Sequence, residues 1–129
     1  MSDLTDRSPH ELPVGVPVLL RFDRVRVRRK GSSEDEEISG AIDFGLFDST
    51  VFELTDPATK TSKQVPGLAF HITEFNGAPS DKYLNVVSKR LITALRPYLE
   101  SGAYERLRFA ITKTAERPSS TFSVAPVPV

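Results

Sequence analysis

The sequence predicts a mainly β fold: a small five-stranded barrel with one α-helix between its third and fourth strands. Three observations lead there. The first long β-prone run, residues 16–29, changes its apolar parity midway. One amphipathic helical pattern, from Ser88 to about Leu99, follows three strand regions. Two alternating runs, opening at Leu107 and Thr121, come after it.

Side chains on a strand alternate between faces, so parity assigns residues to surfaces. In the first run Val18, Leu20 and Phe22 share one face, which then continues as Arg24, Arg26 and Arg28. The apolar role passes to Val25 and Val27 on the other parity. A bulge or sharp bend would turn the strand over at that point, as where one strand serves both halves of a barrel.

Residues 30–39 hold Gly31-Ser32-Ser33 and four consecutive acids, the pattern of a solvated loop between strands. A sharper alternative is that this loop folds over the neighbouring arginines as a decoy for phosphate. Residues 42–54 read as a strand broken at Gly45 or at Asp48-Ser49, and 59–63 as a basic loop tip. Leu68, Phe70 and Ile72 mark the next strand, Gly77 to Ser80 a turn, and Tyr83 to Val87 a short β-prone piece. Ser88 suits a helix N-cap. Leu91, Ile92, Leu95, Tyr98 and Leu99 form one apolar stripe, and Gly102 supplies the stop, with Pro97 a defect in the last turn.

One domain is expected at 129 residues. Residues 1–14 read as a flexible arm, 15–125 as the barrel, and 126–129 as an extended tail. Three strand regions, a helix, then two strands is the order of the oligonucleotide-binding (OB) barrel. An SH3-like barrel with a helix insertion, or a β-sandwich with one helix, would also accommodate these elements.

Residues 82–124 carry a resemblance. Tyr83-Leu84-Asn85-Val86-Val87-Ser88-Lys89-Arg90-Leu91, then Leu107 to Lys113 and Thr121 to Val124, resembles the small OB-fold single-stranded DNA-binding proteins of bacteriophages and mobile elements. The shared feature is a Ser/Thr-Lys-Arg-Leu helix start ahead of a closing hairpin. The resemblance implies strand binding in replication or recombination, and a phage-encoded protein in the host cytoplasm. The neutral end, residues 125–129, departs from the acidic tip by which better-known bacterial relatives recruit partners.

Charge distribution supplies the chemical lead. Lys+Arg and Asp+Glu both number 17, so no global field favours a polyanion. Residues 21–30, however, hold six basic residues against the single acid Asp23. Arg24, Arg26 and Arg28 at alternate strand positions recur every ~6.5–7 Å, close to the nucleotide spacing of an extended strand. The plainer explanation is an edge strand charged against aggregation. Lys89 and Arg90 at the helix start, Lys60 and Lys63 on the loop tip, and Lys113 on the last hairpin would extend a phosphate track.

Stacking is the second need of single-strand binding. Phe44, Phe47 and Phe75 border turns or charges and are expected to be exposed, with Tyr83 a fourth platform. Phe22, Phe52, Phe70, Phe109 and Phe122 are expected in the core. His71 lies on the parity opposite Phe70 and is expected at the surface, and His10 lies in the arm.

Enzymatic activity is not expected. The chain has no cysteine, no HExxH, no Gly-rich phosphate loop and no Gly-x-Ser-x-Gly, so no cofactor or metal is expected either. No apolar run reaches the ~18 residues of a membrane span, and a cytoplasmic location is expected. The expected partner is single-stranded DNA. The rival class is a protein-interaction or assembly module, such as a phage structural or inhibitory protein, which the zero net charge and the acidic loop favour. Self-association through strand edges is compatible with either.

Overall fold

The parity change in the first strand is real, and it organises the molecule. A computed structural model describes residues 12–56, 58–114 and 121–128, without the side chains of 44 and 54–56. Strand β1 (Val18–Arg28) buries Val18, Leu20 and Phe22, then Val25 and Val27. Its antiparallel partner β5 (Leu68–Phe75) pairs Leu20 with Phe75, Phe22 with Ile72 and Arg24 with His71, with register shifts on both sides of Phe22. Asp23 on β1 and Thr73 on β5 are thereby left without ladder partners. An extra residue moves every following side chain to the opposite face. Val25 and Val27 turn inward and Arg24, Arg26 and Arg28 outward.

The fold is mainly β. Three hairpin strands follow β1: β2 (Asp35–Ile38), paired with β1, then β3 (Phe52–Asp56) and β4 (Thr61–Val65), which pair in a separate two-stranded sheet. After β5 come β6 (Ala78–Pro79) and β7 (Tyr83–Val86), helix α1 (Lys89–Ser101), β8 (Leu107–Lys113) and β9 (Phe122–Pro128). The larger sheet runs β6-β5-β1-β8-β9, with β2 also on β1 and β7 also on β5.

Two expectations about the barrel need correction. The sheet does not close, because no ladder among the described residues joins β7 to β9. The helix follows the seventh strand rather than lying between the third and fourth. The second has a plain cause: polar segments that read as loops pair as hairpin strands and so raise the strand count. Where closure would seal the interior, α1 contributes Leu91, Ile92, Leu95 and Leu99 to the core instead. Ser88 caps the helix, its hydroxyl accepting from Leu91 N at 3.3 Å, and Gly102 ends it with φ 77°. Pro97 sits inside without ending it.

Other local expectations also shift. The broken strand over 42–54 is instead a 3-10 helix, Phe44–Ser49, leading into β3. Asp43 begins it by accepting from Gly45 N, and Thr50 ends it. The buried Thr50 hydroxyl lies 2.9 Å from Phe47 O and 2.7 Å from Gly67 O, and it accepts from Gly67 N at 3.0 Å. Gly67 is fixed by packing, since a Cβ there would lie 2.7 Å from the Phe52 ring. The last strand runs to Pro128, past residue 125 where a tail was expected, and carries Pro126 and Pro128. Of the arm expected over 1–14, residues 1–11, His10 among them, lie outside the described residues, while Leu12 packs against the core and Val14 bridges to Lys113.

The core centres on Phe22. Its ring stacks on Phe70 at 4.5 Å, on Tyr104 at 4.9 Å and on Phe109 at 5.6 Å between centroids. Tyr104, from the 3-10 helix Ala103–Arg106, is fully buried, and its hydroxyl donates to Gly40 O at 2.7 Å. Burial pushes its phenol up to about 12, and the charges of Glu105 and Asp23 act in the same direction. Phe52 and Phe122, both expected inside, are only half-buried.

Truncating Phe22→Ala removes the shared partner of three rings and is expected to destabilise the protein by about 3–5 kcal/mol in urea unfolding. Tyr104 supplies a pH test. The fold holds the neutral phenol, so its contribution is intact below pH about 10, where the unfolded chain begins to ionise, and is lost as pH rises through about 12. Unfolding midpoints should therefore fall over that window, and Tyr104→Phe should flatten the decline.

Candidate nucleic-acid interface

The outward face of β1 is the only place where several of the expected site residues come together on one ladder among the described residues. Arg24, Arg26 and Arg28 project there in a row because of the irregularity at Asp23. Register sets Arg24 beside His71 on β5, and His71 beside Tyr83 on β7. The Arg26 guanidinium carbon lies 4.0 Å from the centre of the Tyr83 ring, a cation–π contact.

These guanidinium groups are not free. Arg24 bonds Glu37 at 2.8 Å and Asp23 at 3.1 Å, while Arg26 bonds the other Glu37 oxygen at 3.1 Å. Arg28 meets Asp35 at 3.1 Å, and Arg29 meets Glu36 at 2.8 Å. Four arginines thus face four carboxylates, Asp23, Asp35, Glu36 and Glu37, and the formal charges cancel. The segment expected as a loop is β2, and pairing Arg26 with Glu37 and Arg28 with Asp35 across the ladder puts opposite charges side by side. All these side chains are about two-fifths to half exposed, apart from Arg24 at 36%. Solvent screening then leaves each pair only weakly stabilising.

Local fields follow from this arrangement. Partial burial would raise the Glu37 carboxyl, but hydrogen bonds from Arg26, Arg24 and Tyr83 outweigh it and hold the group below its usual range. Glu36 is lowered chiefly by its bond to Arg29. Tyr83 donates its hydroxyl to Glu37 at 3.0 Å, so one carboxylate ties two guanidiniums and a phenol into a single network.

His71, expected at the surface, is buried at 6% exposure. Its Nδ1 lies 2.8 Å from Asp23 Oδ1 and its Nε2 2.6 Å from Asp81 Oδ1. The parity was right, but neighbouring side chains cover the outer face at this point. Asp23, left over by the ladder, reaches both Arg24 and His71, and so links the bend to the charged layer. No feature of the sequence marks Asp23 and Asp81 as partners of one histidine 48 and 10 residues away.

The remaining candidates are dispersed. Phe47 is buried at 3% exposure and is core, not a stacking platform. Phe75 is half-buried against the core at the end of β5, opposite Leu20. Both were expected outside because they border turns or charges, but each ring packs on the core. Phe44 opens the 3-10 helix, and its side chain lies outside the described residues. Lys60 and Lys63 are exposed on the β3–β4 hairpin, which belongs to the other sheet. Lys89, on the first turn of α1, lies 3.8 Å from Asp48. Arg90 is exposed beside it, and Lys113 ends β8 half-buried.

A groove of about 560 Å³ runs beside the charged layer, lined by Arg29, Ile38, Ile42, Asp43, Leu46 and Ser49 among others. Among the described residues no cluster of His, Asp or Glu has the makings of a metal site, and no helix is long and apolar enough to cross a membrane. No family model, curated protein or solved structure matches the chain.

Both ring nitrogens of His71 lie within hydrogen-bond distance of a carboxylate, which should make the residue more valuable than its polar character suggests. His71→Ala is expected to lower stability by about 1–3 kcal/mol in denaturant unfolding. A change of only a few tenths would show that the bridge to Asp23 and Asp81 contributes nothing net.

Proposed function

We propose that this protein binds single-stranded DNA, with little sequence preference and without catalysing a reaction, on the outer face of β1, β5 and β7. The observation that carries the proposal is the row Arg24, Arg26 and Arg28 on one sheet face with the Arg26–Tyr83 stack in its middle. Sequence-tolerant binding of single strands needs cations that follow the backbone and flat groups on which bases stack. A guanidinium already lying over a phenol ring offers a planar surface to a base and a charge to a phosphate.

The strand order supports the same reading. With the hairpin strands β2, β3, β4 and β6 set aside, the remaining strands run β1, β5, β7, then α1, then β8 and β9. They pair in the order β7-β5-β1-β8-β9. We read this as an opened OB-like barrel, a fold that is itself only partly closed and uses its sheet face and loops for oligonucleotides. A place in replication or recombination, and a phage origin, belong to the same proposal and rest on the resemblance of residues 82–124.

One observation favours the rival, a protein-docking or assembly module: the arginine row is matched charge for charge by Asp23 and β2. Fluorescence anisotropy with labelled oligo-dT at two salt concentrations separates the two. Strand binding predicts affinity falling with salt at about 0.7 log units per log unit for each phosphate contacted. Arg26→Glu should weaken binding at least about tenfold, and Tyr83→Ala by the ~1–3 kcal/mol of one stacked base. Absence of binding at low salt would leave the docking module.

A further inference from the structure

We propose that β2 is a built-in acidic cover that competes with phosphate for the arginine row and so sets how tightly a strand is held. The inference rests on the single-strand reading above and goes beyond it in assigning a regulatory role to Asp35, Glu36 and Glu37.

These carboxylates occupy the positions a phosphate chain would take. Glu37 places one oxygen on Arg24 and the other on Arg26, as a phosphate spanning two guanidiniums would. Asp35 does the same singly for Arg28, while Glu36, opposite Val27 and so off the row, holds the neighbouring Arg29. No backbone phosphate can reach Arg26 or Arg28 in the same geometry while these bonds persist.

The cover is also lightly held. Among the described residues β2 pairs with β1 alone, and of its four residues only Ile38 packs against the core. Gly31 (φ 83°) and Gly40 (φ 75°) bracket the segment. Gly40 is anchored through its carbonyl by Tyr104, whereas the Gly31 end has open space where a side chain would stand. Carboxylates at this exposure exchange readily for a polyanion whose charges are linked, because successive phosphates arrive at high effective concentration.

Such a cover leaves a mark on salt dependence. When an acid gives up its arginine to a phosphate it recovers counterions from solution, which offsets part of the release from the nucleic acid. The wild-type slope is therefore shallower than the number of phosphate contacts implies, and removing the acids steepens it.

The test compares wild type with the triple variant Asp35→Asn, Glu36→Gln, Glu37→Gln, using labelled oligo-dT at two salt concentrations. The amides keep size and hydrogen-bonding shape, and Glu37→Gln alone serves if the triple variant fails to fold. Binding about tenfold tighter or more, with a steeper salt slope, is expected for the triple variant. About threefold or more is expected for Glu37→Gln. Binding by the triple variant where wild type shows none also supports the cover. If wild type binds and the variants match it in affinity and slope, or bind more weakly, the cover is refuted and strand binding stands. If neither wild type nor variants bind, both proposals fall.

Discussion

The double irregularity at Asp23 and Thr73 is the constraint on which the rest depends. A regular β1 would carry Arg24, Arg26 and Arg28 into the interior behind Phe22, and three unpaired buried cations are not compatible with a folded core. Leaving one residue unpaired on each of β1 and β5 restores the ladder beyond the bend while changing the inward face on both strands. Phe22 then sits at the turning point with Phe70, Tyr104 and Phe109 around it. Core and charged surface are consequences of the same two residues.

The second level of organisation is electrostatic. Once the arginines face outward they repel one another along the strand, and β2 answers with Glu37 opposite Arg26 and Asp35 opposite Arg28, Glu37 also reaching back to Arg24. The neutrality of the whole chain is thus reproduced at short range, in one layer, rather than being an average over distant patches. The bond from Tyr83 to Glu37 extends that layer from β1 across β5 to β7. The outer sheet face is accordingly an ordered polar surface, with His71 locked beneath it.

What could be read from the sequence divides along physical lines. The bend in β1, the strands β5, β7 and β8, and the helix with its Ser88 cap and Gly102 stop were legible, because each is written in apolar periodicity or in cap chemistry. Strands β2 and β4 were not, since Asp35–Ile38 and Thr61–Val65 have little intrinsic β preference and owe their conformation to a partner. The 3-10 helix at 44–49 depends on the remote Thr50–Gly67 contact, which no local pattern announces. For the candidate site, the arginine row and Tyr83 were visible as spacing and type. The pairing acids were visible only as a charged run, whose register against β1 is a tertiary fact. Phe47 and Phe75 failed as platforms because bordering a turn does not say which way the turn folds.

Pro126 and Pro128 have the same parity on β9, which pairs only with β8 among the described residues. Each lacks an amide hydrogen, and two such gaps on one side deprive an incoming strand of the donors it would need to continue the sheet. At this border the open sheet is blunted against edge-to-edge growth by another strand.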